Sequence, residues 1–121
     1  MKKILLVEDD QFLIDIYGTK LKEAGFVVKV IEEGEQVLPT LKEDRPDVLV
    51  LDIVLSHVDG WEILKMIRQD KTLKGLKIVV LSNLGQKSEI EKGLRLGAAK
   101  YLVKAQHTPS EIVKEIKTVL K

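Results

Sequence analysis

The chain has 121 residues, enough for one hydrophobic core but not for two. Its 20 basic and 19 acidic residues leave a formal charge of +1, so nothing in the balance recruits nucleic acid or a membrane surface. There is no cysteine, hence no disulfide framework or thiolate metal site, and no apolar stretch nears the roughly 18 residues of a membrane span.

Strand and helix patterns then alternate along the whole chain. Met1-Lys2-Lys3 leads into a strand near 3–8 whose apolar run, Ile4-Leu5-Leu6-Val7, is too short for a signal-peptide core; the expected location is cytoplasmic. A helix near 11–24 follows, with Asp10 as its N-cap and Gly25 as its C-terminal cap. The strand near 27–31 carries Lys29 amid apolar residues and is assigned to a sheet edge. The helix near 35–44 contains Pro39, which removes a backbone donor and is expected to bend the first turns. The strand near 48–52, Val48-Leu49-Val50-Leu51 and then Asp52, reads as buried on both faces. In the helix near 60–69, Trp61 shares an apolar face with Leu64 and Ile67. Lys71, Lys74 and Lys77 form a basic connector, read as solvated. The strand near 78–82 ends in Ser82, and the helix near 87–96 contains Gly93, at a cost of about 1 kcal/mol relative to Ala, and is capped by Gly97. A strand near 101–103 ends before Lys104. The last helix, near 109–120, has a stripe of Ile112, Val113, Ile116, Val119 and Leu120, with Thr108 and Glu111 as a capping box and Pro109 at its first position.

Five such units imply one α/β domain over residues 1–121, built on a five-stranded parallel sheet with right-handed crossovers and five helices; no second domain is expected after the last helix. Glu8, Asp9, Asp52, Ser82 and Lys104 all fall at C-terminal strand ends, which in an open parallel sheet meet at one crevice. Three carboxylates crowded there repel one another unless a cation joins them, and an oxygen-only ligand set suits Mg2+. Three carboxylates, one lysine and one divalent cation sum to no net charge. Metal, ammonium, hydroxyl and backbone N–H groups are what phosphoryl transfer needs, and Asp52 on the central strand is the best-placed nucleophile. His57 and His107 have no partner at metal-ligand spacing and read as loop residues.

Over its full length the chain resembles the receiver domains of two-component response regulators. The motifs are Leu6-Val7-Glu8-Asp9-Asp10, Asp52 through Leu55 to Asp59-Gly60, Ser82, and Tyr101-Leu102-Val103-Lys104. The resemblance implies a flavodoxin-like, doubly wound sheet in the order 2-1-3-4-5. It implies a phosphorylation-activated switch, in which Asp52 accepts a phosphoryl group from a histidine kinase or histidine phosphotransfer protein. Asp9, Asp52 and the Val54 carbonyl would ligate Mg2+, and Glu8 would hold a metal-bound water. Ser82 and Lys104 would grip the phosphoryl oxygens, and Tyr101 would turn inward with Ser82 on activation. Such a protein helps catalyse its own phosphorylation and dephosphorylation but is primarily a signalling switch. No direct nucleic-acid or membrane partner is expected, and the sequence does not identify the output partner.

Departures from the family pattern are Ser56, where proline is common; Ala105, where a cis proline is usual; and Asn83, where a smaller residue is common. Val54 and Leu84 occupy the positions that tune phosphate lifetime in the family, and both are apolar. An aspartate-based phosphohydrolase would carry a second aspartate two residues after the nucleophile, where Val54 stands, and a lid. A module that had abandoned phosphorylation would be expected to lack one of the acidic pair, Asp52 or Lys104; all are present.

Overall fold

The computed structural model describes residues 1–121. Its strands are β1 (Lys3–Val7), β2 (Val27–Ile31), β3 (Val48–Leu51), β4 (Lys77–Ser82) and β5 (Lys100–Val103). Its helices are α1 (Gln11–Glu23), α2 (Val37–Glu43), α3 (Gly60–Gln69), α4 (Lys87–Arg95) and α5 (Pro109–Val119). All strand pairs are parallel and the order is β2-β1-β3-β4-β5.

Burial follows the residue pattern. Every residue of β3 is buried, whereas β2 at one edge has two exposed valine and lysine positions, Val27 and Lys29. Alternate residues of the central strands feed two cores. On one face Leu5, Val7, Leu49, Leu51, Ile78 and Val80 meet Val37 and Leu41 of α2 and Ile63, Leu64 and Ile67 of α3. On the other, Ile4, Leu6, Val48, Val50, Val79 and Leu81 meet Tyr17 and Leu21 of α1 and Ile112, Val113 and Ile116 of α5. The caps read from the sequence form: Asp10 accepts from Phe12 and Leu13 N–H, Thr108 and Glu111 bond reciprocally, and Gly25 and Gly97 adopt φ of 96° and 97°.

The structure adds to two readings of the sequence. Pro39 falls at the start of α2 rather than within its interior. A 3-10 turn at Gly34–Gln36 precedes α2, and Pro39 lies in the first turn, where its missing N–H removes no intrahelical bond. Gly93 is not merely a weak point of α4. A Cβ there would stand 2.6 Å from Cδ2 of Tyr101, so the glycine is the notch that lets α4 approach β5. The Lys104–Ala105 peptide bond is trans, within a 3-10 turn at Lys104–Gln106.

Candidate functional site

The sheet register sets the site. Val7 pairs with Leu51, Leu51 with Val80, and Ser82 with Val103. Glu8, Asp52 and Lys104 each follow one of these residues, so their side chains converge above the sheet. Lys104 Nζ donates to Asp52 Oδ2 at 2.7 Å and to Glu8 Oε1 at 2.5 Å. All three are almost out of water: residue exposure is 2% for Glu8 and 5% for Asp52, and 9% for the lysine side chain. One ammonium cannot offset two buried carboxylates. Burial, reinforced by the Asp52 charge, outweighs the lysine and pushes the Glu8 carboxyl up to about 7. Burial also pulls Lys104 down, but its bonds to Asp52 and Glu8 outweigh that and hold it above its ordinary value.

The second oxygen of Asp52, Oδ1, accepts the Val54 N–H at 3.1 Å, closing a tight turn under the β3–α3 connection. Gly60 at the start of α3 lies so close to Ile53 that an added Cβ would stand 2.4 Å from Ile53 Cα. The connection is thereby pinned at both ends, with Asp59 capping α3 through Trp61 N–H.

Asp9 lies in the same cleft but not in the lysine cluster. Its Oδ2 accepts the Ser56 N–H at 2.8 Å and the Ser56 hydroxyl at 2.5 Å. Glu8, Asp9, Asp10, Leu13, Asp52, Val54, Asn83 and Lys104 line this opening of about 220 Å³. Ser82 does not line it: the residue is fully buried, and its Oγ accepts the Leu84 N–H at 3.3 Å. Tyr101 donates its hydroxyl to the Leu84 carbonyl at 2.7 Å, so Leu84 joins the two residues. Burial, with the nearby Glu89 charge, pushes the Tyr101 hydroxyl up to about 12.

The structure thus brings Glu8, Asp52 and Lys104 into contact, sets Asp9 and Val54 on the same cleft, and leaves Ser82 at the end of β4 and Tyr101 within β5, both bonded to Leu84 of the loop after β4. The sequence reading missed Ser56 as the partner of Asp9, having registered it only as a departure from proline. No three carboxylates converge as a finished metal cage. The donor chemistry nonetheless fits a hard divalent cation: every available group is oxygen, and the cluster with Asp9 carries three carboxylates against one ammonium.

Residues 4–117 match the response regulator receiver domain family, and the chain belongs to that family. The chain is 32% identical over 120 residues to the alkaline phosphatase synthesis transcriptional regulatory protein PhoP of Bacillus subtilis, covering 99% of this chain and 49% of that protein. It thus spans about half the length of the curated relatives it matches. A response regulator structure from Chloroflexus aurantiacus superposes with a TM-score of 0.89 at 32% identity, covering 98% of this chain and 97% of that one. The Mn2+-bound form of response regulator Rcp1 superposes at 0.86 with 26% identity, covering 98% of this chain and 93% of that one.

Proposed function

We propose that residues 1–121 act as a phosphorylation switch in which Asp52 accepts a phosphoryl group from a phosphohistidine of a kinase or phosphotransfer protein. The observation that carries this is the buried bridge from Lys104 to Asp52 and Glu8 at the mouth of three parallel strands. In the transfer, a carboxylate oxygen of Asp52 bonds to phosphorus as the N–P bond breaks, and the leaving imidazole takes up a proton. Lys104 exchanges its carboxylate bond for one to a phosphoryl oxygen and holds the charge that develops there. Asp9, Asp52, the Val54 carbonyl and Glu8 are the residues that would hold Mg2+, which supplies charge neutralisation when bound; the Mn2+-bound relative supports a divalent ion in this fold. Ser82 supplies a hydroxyl once it turns from Leu84 towards the phosphoryl group, and Tyr101 follows into the space beneath. The same cleft admits the water that later removes phosphate from Asp52. A cytoplasmic location, expected from the sequence, is part of the same proposal; no helix is long and apolar enough to cross a membrane.

The test is incubation with acetyl phosphate and Mg2+, followed by peptide mapping in a mass spectrometer. Modification at Asp52 is expected, with none in an Asp52→Asn variant. Equal labelling of that variant would refute the reading.

A further inference from the structure

Asp9 is held in a way that charge balance alone does not require. Both donors of Ser56 converge on Oδ2 of its carboxylate, while Oδ1 accepts no hydrogen bond from the protein. The Asp9 backbone is fixed as well, its N–H donating to Glu8 Oε2 at 3.1 Å. A carboxylate anchored through one oxygen presents the other, and its conformational freedom is lost before any ligand arrives. Asp9 lines the cleft that contains Asp52, where a cation would sit, and Oδ1 is its one oxygen not already bonded to Ser56. Ser56 thereby ties the β3–α3 connection to the end of β1. A proline at this position would have no N–H and no hydroxyl, so it could make neither bond.

We infer that Ser56 is a positioning residue for the divalent cation, orienting Asp9 as an oxygen ligand through paired hydrogen bonds. This rests on the phosphoacceptor reading of the cleft. Ser56→Ala keeps the backbone donor but removes the hydroxyl, whereas Ser56→Thr keeps both. Loss of an outer partner of a metal ligand weakens metal affinity about 10–100-fold, and one bond of two places the alanine variant near the lower end.

The experiment is a Mg2+ titration of isotope-labelled protein, followed by the backbone amide shifts of residues 8–10 and 52–56. The parent, Ser56→Ala and Ser56→Thr are compared. Phosphorylation by acetyl phosphate is then measured at limiting and at saturating Mg2+. Ser56→Ala is expected to need about tenfold more Mg2+ for half-saturation. Its phosphorylation rate should equal the parent's once Mg2+ saturates, and Ser56→Thr should follow the parent throughout. Unchanged or tighter Mg2+ binding by Ser56→Ala overturns the assignment. So does a rate that stays low at saturation, or an equal loss in Ser56→Thr. Each of those outcomes leaves phosphorylation of Asp52 standing, whereas a parent that binds no Mg2+ overturns both.

Discussion

At the scale of single residues, the same physics acts in opposite directions at two carboxyls. Glu8 is raised because water is withdrawn from it. Asp70, between α3 and β4, is held at about 2 because donors surround it: the Thr72 hydroxyl, Lys42 Nζ at 2.9 Å and the Thr72 N–H. With a folded value below the ordinary 3.8, its contribution to stability is complete above that value and is lost as pH falls through 2. An NMR titration of the Asp70 carboxyl should give a midpoint near 2, and Thr72→Val should move it upward. An unmoved midpoint would mean that the hydroxyl is not what holds it. Residue roles were unequally legible in the sequence. Glu8, Asp52 and Lys104 were readable because each ends an apolar run, and parallel strands bring such ends together. Ser56 was not, because a side-chain bond between positions 47 apart leaves no periodic trace. Ser82 was placed at the right strand end, but its bond to Leu84 N–H depends on a loop conformation that spacing does not encode.

Among the elements, α4 is the least anchored. Gly93 is its only buried residue, Ile90 is half-buried and Leu94 is 46% exposed. It is fastened instead by polar links to α3. Lys92 Nζ lies 4.4 Å from the centre of the Trp61 ring, and the Arg68 guanidinium donates to the Leu96 and Gly97 carbonyls that follow α4. Few buried apolar contacts mean low local stability. Amide hydrogens of residues 86–96 should therefore exchange faster than those of α1 and α5, and beryllofluoride with Mg2+ should slow them. Protection in the free protein equal to that of α5 would contradict this. The sequence showed Gly93 only as a propensity cost, since the approach of Tyr101 from β5 is a tertiary fact. Gly93→Ala should gain about 1 kcal/mol in helix propensity but lose about 1–3 kcal/mol to the clash with the Tyr101 ring. In a Tyr101→Ala background the same change should stabilise, as urea unfolding of the double-mutant cycle would measure. Equal effects in both backgrounds would show that the ring does not confine the glycine.

For the whole molecule, the sheet order does most to define function, because it places β1 beside β3 and so brings Glu8 to Asp52. The alternation of elements was legible from apolar periodicity, whereas the order came through family resemblance. The molecule's timing should depend on two apolar residues near Asp52. Val54, 56% exposed, lines the acidic cleft, and it shares a neighbouring groove with Leu84. Neither side chain can orient an attacking water. The phosphorylated state should accordingly be long-lived, and Val54→Asn and Leu84→Glu should each shorten it when decay is followed after the phosphodonor is removed. Slower decay in those variants would show that the apolar pair is not a shield. All of this depends on Asp52 carrying an acyl phosphate. Phosphorus NMR of the protein with acetyl phosphate and Mg2+ tests that most directly. One protein-bound acyl-phosphate resonance is expected, absent from Asp52→Asn and failing to form when Mg2+ is chelated beforehand. No such resonance in the parent, or its persistence in Asp52→Asn, would contradict the account.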